Sequence, residues 1–424
     1  MKNNRRKFVK NFASLALGIT IIPRNVIGKG FIAPSDRFNI GVIGLGAQSG
    51  GLIERMSKIS DARIIAGCDV HQKRLNRFRK LIDTEYRKYK IKGVAKTYED
   101  FDKLIENSDI DGIVVSTPDH WHAIPSINAM KAGKHVYCEK PMSHTIQEGR
   151  AMEKIAREYN CILQTGSMQR SRADFRKACE LVRNGYIGKI EKVWIEVGNP
   201  SAECNLPFQE TPDYLNWDRW LGPAPLRSYH DIIVEKGWFP NWRWYREYGG
   251  GILSDWGAHM FDIVQWALDK DHTGPIKYEA PMEPTASRGL VMHYDDGVEV
   301  EHRNFGRGFA VRFFGSKGTL DISRSFLETN PKDLLNVKFK PTDTKLYVSE
   351  SHENDWVTSA KEGSKPICDV EIGHRTATIC HIANLAYEFR RPLNWDPIKE
   401  EFIDDFEANL RRGKQYRKPY ELKI

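Results

Sequence analysis

The sequence predicts an α/β protein with two folded domains. The first is an N-terminal doubly wound parallel sheet, and the second is a C-terminal α+β domain with an open, largely antiparallel sheet. Short β-branched runs alternate with helical stretches over residues 36–166, and hairpin signals follow within residues 167–424. A length of 424 residues also suits two or three domains.

The first 35 residues predict an export signal and linker rather than a domain. Arg5-Arg6-Lys7-Phe8-Val9-Lys10 precedes an apolar stretch, residues 12–22, which is too short to span a bilayer easily. The paired arginines resemble a twin-arginine signal, which implies export of the folded chain to the periplasm. An uncleaved amphipathic anchor, or a chance basic start on a cytoplasmic enzyme, is the alternative.

Charge and composition exclude several classes of function. Residues 1–30 hold seven Lys or Arg and no acid, so eight minus seven leaves a net charge of +1 for the rest. This gives no basic surface for nucleic acid. Seven cysteines without a Cys-x-x-Cys pair fit neither a disulfide framework nor a zinc ribbon. We therefore expect a small-molecule substrate, no nucleic-acid partner and no membrane span after the signal.

The first strand, loop and helix predict a dinucleotide site of the Rossmann type. A strand over residues 38–43 leads into Gly44-Leu45-Gly46, and a helical stretch follows. Gly44 permits a tight turn, and Gly46 lets the backbone approach a pyrophosphate at the helix N-terminus. Ser49 stands where a third glycine is usual, and a purely structural loop is the alternative. The predicted cofactor contacts here are Gly44, Gly46, Ala47 and Gln48.

The second strand, residues 62–68, ends at Asp69. An acid at this position can accept both ribose hydroxyls and repels a 2′-phosphate. We therefore predict NAD as the cofactor. Lys73 and Arg74 follow closely and keep NADP as the alternative.

Further strands complete the predicted parallel sheet over residues 113–116, 135–139 and 162–165, with helices over 123–132 and 145–159. Polar segments follow the carboxyl ends of these strands, where ligands bind in such sheets. The predicted cofactor contacts on these ends are Thr117, Pro118, His122, Glu139, Lys140 and Gln169.

The second half of the chain predicts an antiparallel meander after a helix and a strand. Asp295-Asp296-Gly297 and Gly315-Ser316-Lys317 each separate two β-rich runs, which is typical of hairpins. An open sheet leaves a face that commonly pairs, so we expect a homo-oligomer. The predicted elements are a helix over 172–184 and strands over 190–197, 290–294, 298–302, 309–314 and 318–323.

Four motifs extend beyond the glycine loop: Thr117-Pro118-x-x-x-His122, Glu139-Lys140-Pro141, Gly249-Gly250-Gly251-x-Leu253-x-Asp255-x-Gly257-x-His259, and Trp395-Asp396-Pro397. Together they resemble the glucose–fructose oxidoreductase / inositol dehydrogenase / MocA family. The resemblance implies an NAD(P)-dependent oxidoreductase with Lys140, Asp255 and His259 in the catalytic group. It also implies that His374 lies near the substrate.

Asp255 and His259 lie four residues apart on a predicted helix that starts at Ser254, so they share one face. We expect His259 to remove a hydroxyl proton, Lys140 to hold that oxygen, and Asp255 to orient both. Alternatively, Ser254 or Asp255 only caps the helix and His259 is a core residue. Asp255, His259 and Asp262 could also hold a metal. We predict none, because no cysteine or second histidine is placed to complete the shell.

Aromatic side chains and arginines crowd the approach to the glycine triplet at residues 249–251. Flat aromatic faces beside hydrogen-bond donors suit sugar rings, and a core between domains is the alternative. The aromatic residues are Trp238, Phe239, Trp242, Trp244 and Tyr245. The predicted substrate contacts are Arg170, Trp242, Arg243, Tyr245 and His374.

Three functions follow from these features. The first is an NAD-dependent oxidoreductase that acts on a hydroxyl of a sugar, polyol or glycoside. An exported chain would hold and recycle its cofactor, because little free NAD is expected outside the cytoplasm. The second is an NAD-dependent glycosidase that works by transient oxidation and elimination. The third is a non-catalytic NAD-binding module, against which the presence of Lys140, Asp255 and His259 argues.

Overall fold

The computed structural model describes residues 37–91, 93–235 and 241–423. Within these ranges, the residues from Phe38 onward form one compact unit. The predicted export signal, Trp238 and Phe239 lie outside the described residues. Among the described helices, none combines the length and apolar character that a bilayer span requires.

The first sheet has six parallel strands in the order β3-β2-β1-β4-β5-β6. Alternate residues of β4 enter opposite cores, because Ile113 and Val115 pack in one hydrophobic cluster and Val114 in another. A strand buried on both faces therefore reads as an unbroken apolar run. The strands are β1 Phe38–Ile43, β2 Ala62–Cys68, β3 Lys96–Tyr98, β4 Gly112–Val115, β5 His135–Cys138 and β6 Leu163–Thr165.

Helices cover both faces of this sheet, as the alternation of strands and helices predicts. One of them, α5, begins with a capping box in which the Thr145 hydroxyl accepts from the Glu148 N–H. The helices are α1 Ala47–Met56, α2 Gln72–Lys88, α3 Phe101–Ile105, α4 Ala123–Lys131 and α5 Ile146–Glu158.

The second sheet has nine strands in the order β13-β12-β11-β7-β10-β9-β8-β14-β15. Only β7 and β10 pair in parallel among its neighbouring strands. Both predicted hairpins form, as β9–β10 and β11–β12. The strands are β7 Ile190–Glu196, β8 Lys277–Glu279, β9 Leu290–His293, β10 Glu299–His302, β11 Ala310–Gly315, β12 Gly318–Ser323, β13 Leu327–Asn330, β14 Leu393–Asp396 and β15 Glu401–Phe402.

Three long helices pack on one face of the second sheet: α6 Ala173–Arg183, α9 Gly251–Ala267 and α11 Val370–Phe389. Val193 and Ile195 of β7 point into this core, whereas Trp194 between them is only half-buried. The shorter helices are α7 Trp217–Leu221, α8 Asp231–Val234, α10 His352–Glu362 and α12 Phe406–Leu410. This arrangement confirms the predicted α/β fold class.

Helix α10 returns to the first sheet, which the predicted division at residue 166 does not anticipate. Its Trp356 is fully buried and lies edge-on to Phe38, with 5.4 Å between ring centroids. Trp356 also packs against Tyr137 of β5. A segment from the far end of the sequence therefore completes the core of the first sheet.

Candidate active site

A crevice of about 970 Å³ runs along the carboxyl ends of the parallel strands. This volume lies in the range of small-molecule and cofactor sites. From the glycine loop and the second strand it is lined by Gly44, Gly46, Ala47, Gln48 and Asp69. From the later strand ends it is lined by Thr117, Pro118, His122, Glu139 and Lys140. The second half of the chain contributes Trp242, Arg243, Asp255 and His259.

The glycine loop has the geometry that a pyrophosphate site needs. Gly44 has φ +87°, and a Cβ there would lie 2.7 Å from the Thr117 backbone nitrogen. Gly46 precedes α1, and a Cβ there would meet nothing within 4 Å. The Ser49 hydroxyl donates to the Gly46 carbonyl at 2.8 Å, so serine replaces the usual third glycine without opening the turn. The N–H groups of the first turn of α1 are therefore available to an anion.

The two glycines should respond differently to alanine. We expect Gly44→Ala to lower the free energy of unfolding by at least roughly 1–2 kcal/mol, because of its φ and its backbone clash. Gly46→Ala should stay within about 1 kcal/mol of the parent and weaken NAD binding, because its Cβ would occupy the approach of the pyrophosphate. Urea denaturation and an NAD titration measure the two effects. Undiminished NAD binding in Gly46→Ala would contradict this assignment of the loop.

Asp69 is fixed at the crevice edge by two backbone donors. Its Oδ2 accepts from the Leu45 N–H at 2.7 Å, and its Oδ1 accepts from the His71 N–H at 2.9 Å. A carboxylate has about four acceptor sites, so acceptors remain for ribose hydroxyls. Lys73 lies over the Tyr214 ring at 3.4 Å, and Arg74 donates to a backbone carbonyl. Both cations that favoured NADP therefore have partners within the protein.

His122 ties together the loops that follow β4 and β5. Its Nδ1 lies 2.7 Å from the Pro141 carbonyl and its Nε2 lies 2.9 Å from the Thr117 carbonyl. Burial lowers the pKa of His122 to about 4, so the ring is neutral and donates to one of the two carbonyls. The Thr117 hydroxyl is buried and has no hydrogen-bond partner among the described residues. This hydroxyl is therefore available to a ligand.

Glu139 connects the end of β5 to the glycine loop. Gln48 Nε2 donates to its Oε1 at 3.1 Å. Burial raises the pKa of Glu139, although the charge of Lys140 opposes this. A Cβ on Gly166 would lie 3.0 Å from the Glu139 carboxylate, so this side chain fits closely against the next strand end.

Lys140, Asp255 and Arg243 form an ion cluster at the other end of the crevice. Lys140 Nζ donates to Asp255 Oδ1 at 2.7 Å and to the Asp255 carbonyl at 3.0 Å. Arg243 Nε donates to the same Oδ1 at 3.1 Å. Burial alone would raise the pKa of the Asp255 carboxyl, but the charges of Lys140 and Arg243 outweigh it and hold the pKa below its usual value. Asp255 is therefore ionised and holds both cations in place.

Helix α9 carries Asp255 and His259 on its second and third turns. The helix begins at Gly251, with Gly250 as its N-cap residue. The alternative in which Ser254 or Asp255 caps this helix is therefore wrong. Gly251 has φ +69°, and a Cβ there would lie 2.5 Å from the Ser201 nitrogen, so the last glycine of the triplet is required by packing.

The imidazole of His259 contacts Arg324 rather than Asp255. Arg324 Nη2 donates to His259 Nε2 at 3.0 Å, whereas His259 Nδ1 is buried without a hydrogen-bond partner among the described residues. Burial, with the nearby charges of Lys140 and Arg324, lowers the pKa of His259 well below its usual value. The ring is therefore neutral, with its proton on Nδ1 and its lone pair on Nε2. The expectation that Asp255 orients His259 is wrong in this structure.

The crevice lining also includes residues that were not predicted from the sequence, among them Arg324 and Asp119. Asp119 follows β4 and is buried. Burial, with the neighbouring charge of Asp255, raises its pKa to about 8. The carboxyl of Asp119 is therefore mostly protonated at neutral pH. Asp119 lies within the Thr117-Pro118-x-x-x-His122 motif shortly after β4, so its position was a signal that could have found it. No motif marks Arg324, because it reaches the site only through tertiary packing.

Arg170, predicted to contact substrate, lies outside the crevice lining and is 1% exposed. Its Nε donates to Asp262 Oδ2 at 2.8 Å, and its Nη1 and Nη2 donate to Asp271 at 2.9 and 2.6 Å. The structure thus corrects this prediction: Arg170 is part of a buried ion network. Asp262 is bound to Arg170 and Thr376, so it is not free to join Asp255 and His259 around a metal.

Three other predicted site residues also lie outside the crevice lining. Gln169 is fully buried and its Nε2 lies 3.8 Å from Met260 Sδ. His374 is fully buried, with Nε2 2.6 Å from Glu400 Oε1. Tyr245 packs against the aromatic core of the segment before α9. The structure therefore does not bring these three side chains to the crevice.

Among the described residues of the aromatic cluster, Trp242 and Tyr245 pack in a hydrophobic core, whereas Trp244 is exposed. Trp242 is buried together with Trp220 and Tyr248. The Arg243 guanidinium lies 4.2 Å from the centroid of the Trp242 ring, which positions it toward Asp255. Trp242 nevertheless lines the crevice with one edge of this core.

Comparison with known proteins agrees with this architecture. The family model described as "Oxidoreductase family, NAD-binding Rossmann fold" matches residues 38–167, and "Oxidoreductase family, C-terminal alpha/beta domain" matches residues 189–422. Myo-inositol 2-dehydrogenase of Thermotoga maritima is 34% identical over 232 residues, which are 55% of this chain and 55% of that protein. The match thus spans about half the length of this relative.

The further similarities include a glycosyl hydrolase and a solved oxidoreductase structure. A glycosyl hydrolase family 109 protein of Shewanella baltica is 33% identical over 144 residues, which are 32% of this chain and 31% of that protein. The crystal structure of aldose-aldose oxidoreductase from Caulobacter crescentus superposes with a TM-score of 0.59 at 20% identity, and covers 84% of this chain and 99% of its own. The chain belongs to the glucose–fructose oxidoreductase / inositol dehydrogenase / MocA family of oxidoreductases, with an NAD-binding Rossmann domain and a C-terminal alpha/beta domain.

Proposed function

We propose that this protein is an NAD-dependent oxidoreductase that acts on a hydroxyl group of a sugar or polyol. One observation carries the proposal. The Lys140–Asp255 ion pair and a neutral His259 line the same crevice as the dinucleotide loop. The myo-inositol 2-dehydrogenase and aldose-aldose oxidoreductase relatives support a polyhydroxylated substrate.

The ion cluster and His259 each have a separate role in the proposed reaction. Lys140, held by Asp255, donates a hydrogen bond to the substrate oxygen and stabilises negative charge that develops on it. His259 takes the hydroxyl proton on Nε2, the ring atom that carries the lone pair. Arg243 keeps Asp255 ionised. NAD, when bound, supplies the hydride acceptor for the carbon that bears this hydroxyl.

Aromatic rings border the reacting end of the crevice. Trp256 lines it and stacks on Phe309, with 3.9 Å between ring centroids. Its ring also lies edge-on to His259, at 5.7 Å. These apolar rings exclude water on one side of the imidazole.

The sequence of residues 1–35 supports a further part of the proposal, export with a tightly held cofactor that is recycled between turnovers. A reaction without net oxidation of the substrate would likewise return the bound cofactor to its starting state in each turnover. The similarity to a glycosyl hydrolase family 109 protein favours NAD-dependent glycoside cleavage as the second candidate function.

Purified full-length protein, without added cofactor, distinguishes these functions. A panel of monosaccharides and polyols is added, and the near-ultraviolet absorbance of reduced nicotinamide is followed. We expect reduction of retained NAD by at least one member of the panel. Release of p-nitrophenol from p-nitrophenyl glycosides without net reduction would indicate the glycosidase. Absence of both, with NAD added in excess, would reject both candidate functions.

His259→Gln is expected to lower the rate of this reduction by about 10²–10⁴-fold, because it removes the proton acceptor. NAD binding should be unchanged, since the predicted contacts with the dinucleotide are made by the glycine loop and Asp69 and not by His259. His293→Gln is the matched control, because His293 pairs with Glu279 on the second sheet and does not line the crevice. A rate in His259→Gln equal to that of the control would contradict the proposed role of His259.

A further inference from the structure

Arg324 is a cation of the crevice without a carboxylate partner among the described residues. It follows β12 and lines the crevice beside His259. Its guanidinium donates to His259 Nε2 and lies 4.7 Å from the centroid of the Trp256 ring. A neutral imidazole and an aromatic face leave its charge uncompensated.

Neighbouring arginines differ in this respect. Arg172 pairs with Asp174 at 2.5 Å, Arg312 with Asp321 at 2.6 Å, and Arg307 with Glu328 at 2.5 Å. Asp174 is near Arg172 in sequence, and Asp321 faces Arg312 across the β11–β12 hairpin. Glu328, the partner of Arg307, lies on β13. Arg74 and Arg77 at the dinucleotide end of the crevice also lack a carboxylate partner among the described residues, but both donate to backbone carbonyls. Arg324 is the arginine beside His259 whose charge no carboxylate of the described residues meets.

The charge around Arg324 confirms that the excess is positive. Lys140, Arg243 and Arg324 supply three positive charges, and Asp255 supplies one negative charge. The Asp119 carboxyl is mostly protonated at neutral pH, because its pKa is raised to about 8. Even with Glu139 fully ionised at the end of β5, one positive charge remains. This partly desolvated, positive end of the crevice attracts an anionic ligand.

The arrangement also holds the guanidinium ready for a ligand. Trp256 and Phe309 are nearly parallel, with 3° between their ring planes, so they form a rigid support below Arg324. An arginine held on an aromatic face loses little conformational freedom when it binds. Its planar fork matches the two oxygens of a carboxylate or a phosphate.

We propose that the substrate of this enzyme carries an anionic group, a carboxylate or a phosphate on the sugar or polyol, which Arg324 binds. The inference rests on the proposed oxidoreductase function and names its substrate class.

An anionic substrate would also change the hydrogen bond between Arg324 and His259. The lone pair of His259 Nε2 now accepts from Arg324, so it is not free to take a hydroxyl proton. An anion that draws the guanidinium away releases this lone pair.

Recognition and chemistry are then coupled. A neutral sugar has to displace Arg324 from His259 Nε2 without forming charge-assisted hydrogen bonds to it. An anionic sugar gains these bonds and frees the proton acceptor at the same time. Matched substrates should therefore differ in kcat as well as in KM, which simple electrostatic attraction to the crevice would not produce.

Pairs of sugars that differ in one group test the proposal: glucose with glucuronate, galactose with galacturonate, and glucose with glucose 6-phosphate. We expect one class of anion to exceed its neutral partner by about 10–100-fold in kcat/KM, which corresponds to about 1.5–3 kcal/mol for hydrogen bonds to a charged group. The uronates and the phosphate ester distinguish the two anions. Tryptophan fluorescence measures binding of the same sugars independently of turnover.

Arg324→Leu should abolish the preference for the anion and raise kcat for the neutral partner, because it removes the donor from His259 Nε2. Arg324→Lys keeps the charge without the fork and should retain part of the preference, which guards against a folding defect in the leucine variant. Arg307→Gln is the matched control, since Arg307 pairs with an exposed glutamate outside the crevice lining. Its preference should equal that of the parent.

The outcomes separate the inference from the function on which it rests. Equal kcat/KM for neutral and anionic partners in the parent protein would overturn the role of Arg324 and leave the oxidoreductase intact. Binding of an anionic sugar that Arg324→Leu loses, without reduction of NAD by any sugar, would support the anion site and reject the proposed reaction. Binding that is the same in the parent and Arg324→Leu would overturn the inference whatever the turnover.

Discussion

Lys140→Met is expected to lower kcat by about 10²–10³-fold, the usual cost of removing one preorganised donor to a developing negative charge. The ammonium group is held by Asp255 through both the carboxylate and the backbone carbonyl, so its position is fixed before substrate arrives. Methionine has a similar length and no charge, and Arg243 remains to balance Asp255. Single-turnover reduction of bound NAD, measured by absorbance, gives the rate.

The loss should appear in the chemical step and not in cofactor binding. The dinucleotide loop and Asp69 make their contacts without Lys140, so retained NAD should match that of the parent protein. Lys103→Met controls for the loss of one positive charge, since Lys103 is an exposed residue of α3 paired with Glu106. A rate for Lys140→Met within threefold of this control would mean that Lys140 does not touch the reacting oxygen.

Most of the parallel sheet could be predicted because its strands are buried on both faces. Runs such as Gly112–Val115 leave no polar residue inside the strand, and this pattern has few other interpretations. The short edge strand β3, Lys96–Tyr98, was missed. Its three residues are exposed or half-buried, so they carry neither an apolar run nor a clear alternation.

The site could be predicted where a residue follows a strand end or shares a helix face, because the chain itself fixes those positions. Lys140 follows β5, and Asp255 and His259 lie one turn apart on α9. Arg324 follows a strand of the other sheet, and its contact with His259 joins positions 65 residues apart. Sequence patterns among neighbouring residues do not predict such a long-range contact. The same limit hid the return of Trp356 to the first sheet.

Side-chain direction explains why Arg170 and His374 were placed wrongly. Arg170 follows a strand end, as a ligand-binding residue would, but the strand end does not determine which way its side chain points. The carboxylates that bind it, Asp262 and Asp271, lie 92 and 101 residues further along the chain. His374 is likewise paired with Glu400 inside the protein. Buried ion pairs use the same residue types as sites do, so the sequence alone did not separate them.

The second large effect is therefore expected at Arg170. Arg170→Leu should lower the free energy of unfolding by about 3–5 kcal/mol, because it leaves a buried carboxylate without its partner. Burial already raises the pKa of the Asp262 carboxyl against the opposing charge of Arg170, and loss of that charge removes its main compensation. Equilibrium denaturation by urea, followed by tryptophan fluorescence, measures the change.

Arg172→Leu is the matched control for this substitution, two residues further along the chain. Arg172 is 41% exposed in its side chain and pairs with Asp174 near the surface. Surface ion pairs contribute about 0–1 kcal/mol, so this variant should stay close to the parent in stability.

The difference in stability between Arg170→Leu and Arg172→Leu separates the two interpretations of Arg170. If Arg170→Leu is as stable as Arg172→Leu but loses sugar oxidation, Arg170 contacts substrate as the sequence predicted. If it unfolds at lower urea while its NAD-bound fraction still turns over, Arg170 holds α9 to the strand end behind the catalytic group.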